Sequence, residues 1–228
     1  ALALLAEASC GAGLLRAQDA RPFLAARPEV AKALGGRLER ALTAPELPDA
    51  DKTMLYRVMN VNGYAAFYPE RLAAYAARAE GKPAADPSRL YLDDPRLPGV
   101  RALGVAAVLP GPGGAPFARV PGAEPLARRE DGGDLSLSSP RPERWSVSGA
   151  GRGPLVLAVP EDAGWRAWVD GRRVPVSSAD GLFMRVPVPD GAFRAEFRYA
   201  PPGWAWLCAA GTLAWGLWLG VGLKAAAA

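Results

Sequence analysis

The chain has 228 residues, half of them apolar, with 27 Lys and Arg against 23 Asp and Glu and a formal net charge of +4. That length can bury a real core, and the arginines are scattered in sequence rather than gathered into the basic stripe of a nucleic-acid binder. Histidine is absent, which removes Ser-His-Asp and Cys-His catalysis, His-ligated metals and His-based pH switching together. The two cysteines, Cys10 and Cys208, lie near opposite ends, are not expected to pair, and are too few for a zinc site. No metal or cofactor is expected. The alanine- and arginine-rich, lysine-poor usage reads as genomic GC bias.

Residues 1–48 have helical flavour. The opening run ALALLA (Ala1 to Ala6) is too short to span a bilayer and lacks the basic flank of a signal peptide. It reads as the end of a preceding membrane helix followed by a connecting segment, which would make the chain a piece of a larger protein. Pro28 suits a first helical turn, and Val30, Leu34 and Leu38 recur at helical spacing. Gly35-Gly36 interrupts that pattern, so 37–42 reads as helix or strand.

Residues 49–110 read as a mixed α/β, extracytoplasmic part. A strand is expected over 54–59 and a turn at Asn62-Gly63. Pro69 opens a helix with Glu70 in its first turn, an apolar stripe of Leu72, Tyr75 and Ala79, and Gly81 and Pro83 at its end. A second helix is expected with Asp94 as N-cap and Pro95 in first position, stopped by Gly104. A buried strand follows over 105–109.

The Pro/Gly stretch 110–116 reads as a linker; Gly111 to Gly114 lacks the lysine and spacing of a phosphate loop. Residues 116–200 read as an antiparallel β-rich domain. The run 155–159 (LVLAV) has the continuous apolarity of a strand covered on both faces. In 165–169 (WRAWV), Trp165, Ala167 and Val169 share one face, and Asp170-Gly171 signals a hairpin. Val174 and Val176 return on its far side. A strand over 183–188, a second Asp-Gly hairpin signal at Asp190-Gly191 and the alternating run 193–199 (FRAEFRY) complete a sheet with one packed and one wet face.

Residues 204–223 carry no charge over about 20 residues, which at 1.5 Å per residue matches the roughly 30 Å hydrocarbon core. A transmembrane helix is expected there, with Trp204 and Trp206 in the interfacial belt. The alternative is a buried core helix. Gly211, Gly216, Gly220 and Gly222 would permit close packing against other membrane helices. Lys224 favours a cytoplasmic C-terminus and an extracytoplasmic globular part. The fold class expected is therefore α+β: a mixed α/β segment, an antiparallel β-sandwich-like domain and one C-terminal transmembrane helix.

Several pieces, in collinear order, carry a family resemblance. They are Gly164, Trp165, Val169, Asp170 and Gly171; then Phe183, Arg185, Val186, Val188, Pro189 and Gly191; then Phe197, Tyr199 and Pro201 before the terminal helix. Upstream lie Tyr56-Arg57-Val58, Asn62-Gly63-Tyr64, Tyr68-Pro69-Glu70-Arg71 and the stretch 97–109. Together they resemble the C-terminal region of the bacterial YfhO family of multi-pass membrane proteins. Ala163 stands where that family usually has proline, Phe193 where it has histidine, and Ala107 where it has tyrosine. The resemblance implies a GT-C-like glycosyltransferase of the bacterial cytoplasmic membrane. Such an enzyme uses a polyprenyl-phosphate sugar for cell-envelope glycosylation on an extracytoplasmic acceptor. The family's expected catalytic carboxylate lies in a first extracytoplasmic loop, to which nothing here corresponds, so no catalytic residue carries over.

The sequence offers two candidate binding features. Asn62, Gly63, Tyr64, Tyr68 and Arg71 form the best polar-aromatic cluster, although Asn-Gly also explains a plain turn. Trp165 and Trp168 fall on opposite strand faces, and an outward Trp168 would suit stacking on a sugar ring, with strand packing as the competing reading. Gly164, Trp165, Asp170, Gly171, Gly191, Tyr199 and Pro201 are expected to be structural. Asp93-Asp94, Asp170, Asp190 and Glu130-Asp131 read as caps, turns or solvated loop rather than acids or bases. The expected partners are the bilayer and, through a parent enzyme, the lipid-linked sugar and its acceptor. A membrane-tethered, non-enzymatic carbohydrate-binding or scaffold module is the alternative.

Overall fold

The computed structural model describes residues 32, 34, 36–43, 53–54, 57–64, 69–82, 89–90, 92–109 and 118–226. The expected membrane-helix end at 1–6, Cys10, Tyr56, Tyr68 and the linker 110–116 lie outside these residues. Among the described residues the fold is mostly sheet, with few helices.

The N-terminal unit is built on β1 (Arg40–Thr43), which runs parallel to both β2 (Met59–Asn60) and β5 (Val105–Leu109). Strand β6 (Ala118–Arg119) adds antiparallel to β5, and β3 (Gly63–Tyr64) pairs with β4 (Arg89–Leu90) as a separate ribbon. A parallel β1–β5 pair needs a long crossover, and the crossover carries two helices. Helix α1 (Glu70–Glu80) starts after Pro69 and ends at Gly81. There φ of 66° lets the Gly81 and Lys82 N–H groups cap the last carbonyls. It buries Tyr75 and Ala76. Helix α2 (Pro98–Ala102) buries Val100, and its Gly99 lies so close to α1 that a Cβ there would sit 2.7 Å from Ala79 Cβ.

Two expectations are corrected in this unit. The strand over 54–59 reduces to Met59 and its successor: Thr53 and Met54 form a tight turn, and Arg57 takes a left-handed φ of 54° that breaks extended pairing. Asp94 does not cap α2. Its carboxylate accepts the Arg96 backbone N–H at 2.9 Å and pairs with the Arg96 guanidinium, closing a local Asx-turn, so the helix begins one turn later with Pro98 first.

The second unit is a β-sandwich. One sheet has the order β13 (Ser177–Ala179), β14 (Phe183–Val186), β10 (Leu155–Pro160), β7 (Ala127–Arg128). The other has the order β12 (Arg172–Val174), β11 (Trp165–Val169), β15 (Gly191–Tyr199), β9 (Arg144–Gly151), β8 (Leu135–Arg141). All pairings are antiparallel. Trp145, Val147, Ala167, Val169, Phe193, Ala195 and Phe197 of the second sheet face Leu155, Leu157, Met184 and Val186 of the first. The first sheet is covered on its other face too. Phe183 is fully buried with its ring 5.1 Å from Tyr75 of α1, so the layers run from the α/β unit through the first sheet to the second.

Asp170-Gly171 makes the expected two-residue hairpin, with φ of 49° and 79°. Asp190-Gly191 does not. It is the corner at which the chain leaves β14 of one sheet for β15 of the other, and these strands are not paired. The second Asp-Gly hairpin is at Asp180-Gly181, between β13 and β14, with φ of 53° and 74°. Buried Arg129 holds the far end of the sandwich, donating to the Arg152, Gly153 and Pro189 carbonyls beneath the Phe193 ring.

Helix α3 (Trp204–Ala226) leaves from the end of β15. Its described side chains, at 204–216 and 218, are all exposed, including Trp204, Trp206, Leu207, Leu213, Trp215 and Trp218. Counted over the described residues alone, no helix is long and apolar enough to cross a membrane.

Phe183→Ala is expected to destabilise the chain by about 3–5 kcal/mol, since it empties a site packed from both sides. Trp168→Ala, on the outer face, is expected to cost under about 1 kcal/mol. Thermal unfolding of the full chain in neutral detergent checks both.

Candidate functional site

The structure separates the residues singled out in the sequence. Asn62 is buried. Its amide nitrogen donates to the Thr43 and Leu92 carbonyls at 2.8 and 3.0 Å, and its amide oxygen accepts the Leu92 N–H at 2.7 Å. Three of its four hydrogen-bonding positions are thus taken by backbone, and it acts as a staple between the β1 end and the segment after β4. Gly63 and Tyr64 form β3. Arg71 lies on α1 and pairs with Glu161 at the end of β10, tying the helix to the sandwich. Trp168 is on the outer face of the second sheet, two layers away, with the Arg198 guanidinium 5.2 Å above its ring. The five described candidates do not converge on one site.

A larger feature gathers polar groups, and Asn62 and Gly63 are part of its lining. A cleft of about 1070 Å³ opens between the α/β unit and the sandwich. Val58, Leu72, Leu103, Trp145, Ala158 and Phe183 line its apolar part; Arg37, Arg40, Arg57 and Arg141 line it as well, and no carboxylate does among the described residues. Arg40 sits at the start of the central strand β1 and donates to the Leu103 carbonyl at 2.7 Å. Burial without a nearby carboxylate pushes its pKa down to about 10, so it stays charged at neutral pH. Arg37, Arg40 and Arg57 enter none of the ion pairs formed among the described residues. Arg57 is held there by the left-handed backbone that ended the expected strand, a conformation that costs a non-glycine residue about 1–2 kcal/mol. An apolar groove rimmed by guanidinium groups, three of them without an ion pair among the described residues, suits an amphiphile with an anionic head. No motif announces it: Arg37 and Arg40 share one segment, and Arg57 and Arg141 come from two others.

A second cluster sits where the sandwich hands the chain to α3. Gly164 is wedged against Tyr199; a Cβ there would lie 2.5 Å from the Tyr199 ring and 2.6 Å from the Ala200 carbonyl. The Asp162 carboxylate accepts the Gly164 N–H at 2.8 Å, the Ala200 N–H donates back to the Gly164 carbonyl at 3.0 Å, and the Trp165 and Tyr199 rings pack tilted at 55° with centroids 5.1 Å apart. Burial, and then the Asp162 carboxylate, raise the Tyr199 phenol pKa, keeping it neutral. These residues set the direction in which the chain leaves the sheet.

Arg40→Met is expected to leave stability unchanged or raised, because it removes a half-buried, desolvated charge that lacks a counter-charge among the described residues; a lowered melting temperature would mark Arg40 as a strut for the Leu103 carbonyl instead. Gly164→Ala is expected to destabilise the β10–β11 loop by about 1–3 kcal/mol through overpacking against Tyr199, read as faster amide hydrogen exchange at 162–166 and 199–200.

No curated protein and no solved structure matches the chain. The family model described as bacterial membrane protein YfhO matches residues 144–209, from the start of β9 into the first turns of α3. The match contains the whole Gly164–Tyr199 junction and both strands beside it, so over this segment the chain is similar to the bacterial YfhO membrane proteins.

Proposed function

We propose that this chain is the C-terminal extracytoplasmic domain and last membrane helix of a YfhO-like membrane glycosyltransferase, with the catalytic carboxylate outside it. The observation that carries the reading is that the family match continues unbroken from the sandwich into α3. Helix α3 has 23 residues, about 34 Å at 1.5 Å per residue, with its first charge at Lys224. Apolar side chains exposed all round a helix are what lipid, rather than water, accommodates. The domain would lie outside the cytoplasm, with the C-terminus inside.

Within that reading the cleft holds the lipid-linked donor. Its arginines would take the phosphate of a polyprenyl-phosphate sugar, and its apolar wall the first isoprene units. The chain's part is to bind and orient this donor, while a carboxylate elsewhere in the parent enzyme activates the cell-envelope acceptor.

The test is binding by the full chain in neutral detergent. Polyprenyl phosphate is expected to bind and the uncharged polyprenol is not, with Arg40→Met and Arg57→Gln each weakening binding roughly tenfold. Equal affinity for phosphate and alcohol would overturn the cleft assignment. Glycan binding by the sandwich with no response to polyprenyl phosphate would favour a carbohydrate-binding module instead. A reporter fused after Ala228 checks sidedness: it is expected to be active only in the cytoplasm.

A further inference from the structure

The strand register of the outer sheet assembles a charged row. Arg166 on β11 lies opposite Arg198 on β15, Arg198 opposite Arg144 on β9, and Arg144 opposite Arg141 on β8. All four are exposed, while the strand neighbours Ala167, Phe197 and Trp145 are buried, so the row crosses the solvent face of the sandwich. Arg173, opposite Trp168 on the same face, adds a fifth cation. The acidic counterweight is small. Glu196 is shared between Arg198 at 3.1 Å and Arg194 at 3.3 Å, and Glu143 approaches Arg141 only to 3.9 Å. Arg144 and Arg166 pair with no carboxylate among the described residues.

Like charges placed directly opposite on one sheet face repel and destabilise it. Four in succession therefore call for an external anion. The row's place says which. It lies one residue before the strand end at Tyr199, and Trp204 opens α3 five residues after that. The Gly164–Tyr199 contact and the Gly164–Ala200 hydrogen bond hold this exit in place. Four strands about 4.8 Å apart spread the guanidinium groups over roughly 15 Å, a line of cations across the sheet at the edge from which the helix departs.

We propose that this arginine row docks on the anionic phospholipid headgroups of the bilayer that α3 enters, fixing the tilt of the sandwich and hence the height of the cleft above the membrane. The proposal rests on the reading of α3 as a membrane helix. Guanidinium groups fork onto phosphate oxygens, and basic residues near an anionic leaflet add to its attraction within a Debye length.

The full chain in neutral maltoside micelles is titrated with phosphatidylglycerol or phosphatidylcholine, and bound lipid is counted by native mass spectrometry. Phosphatidylglycerol is expected to bind at least about tenfold more tightly, with the preference falling as salt rises. The variant R144Q/R166Q/R198Q, which spares the cleft-lining Arg141, is expected to lose the preference, while R119Q/R152Q/R185Q, which removes the same charge elsewhere, keeps it. Should the threefold row variant fail to fold, R144Q and R166Q alone are each expected to weaken phosphatidylglycerol roughly fivefold. Equal binding of the two lipids, or equal effects of the two threefold variants, overturns the proposal. Full competition by millimolar inorganic phosphate also overturns it, marking a site for free phosphate. Alkaline carbonate extraction of expressed chain separates the two layers of the argument. Release from the membrane refutes the membrane-helix reading. Retention without phosphatidylglycerol preference refutes only the arginine row.

Discussion

The double burial of the β10–β14 sheet is the constraint on which the rest depends. Phe183 and Met184 are adjacent in sequence, point to opposite faces and are both wholly buried. Met184 fills the sandwich. Phe183 packs against Tyr75 of α1 and lies under the Arg128 guanidinium at 5.1 Å. A sheet buried on both faces must be covered by something besides its sandwich partner, and here the α/β unit supplies the cover. The cover is incomplete, and where the two units diverge the cleft opens, with Phe183 still in its wall.

Charge placement in this molecule runs against stability in two places. Among the described residues the cleft holds Arg37, Arg40 and Arg57 without carboxylate partners, and the outer sheet holds a row of arginines with few. Elsewhere the chain pairs its charges in the ordinary way, as at Arg71–Glu161, Lys82–Asp93 and Arg119–Glu39. The contrast matters because exposed pairs contribute little, whereas uncompensated cations lose solvation or repel one another. Both surpluses present guanidinium groups suited to anions, one in a groove and one on the outer sheet, and the Gly164–Tyr199 junction packs the point from which the chain runs on to α3.

Much of the C-terminal half was legible because its residues obey a period of two. FRAEFRY alternates so cleanly that its buried face can be written down, and Asp170-Gly171 takes the positive φ angles such a turn needs. The same rule was present but quieter over 135–147, where Leu135 and Leu137 alternate with Ser136 and Ser138, and Trp145 and Val147 follow; serine gives weak contrast, and the strands were not placed. Asp190-Gly191 carries the same dipeptide as a true hairpin, yet local turn chemistry cannot say whether the next strand joins the same sheet. Asp94 looked like a cap because an aspartate before proline satisfies either a helix or an Asx-turn. Of the candidate site, Asn62 and Trp168 were visible as residues, but their partners lie on other segments.

The sequence by itself determined the strands of 155–199, the helix opened by Pro69 and closed by Gly81, the family resemblance and a terminal helix uncharged over 204–223. Each of these rests on spacing between neighbours in the chain. Only the tertiary structure decided that Asn62 staples the end of β1 to the segment after β4, that four arginines from three segments rim one cleft, and that Arg141, Arg144, Arg166 and Arg198 stand in a row. Read along the chain those arginines are scattered. Antiparallel register across β8, β9, β15 and β11 is a long-range property, and it alone turns their scatter into a line.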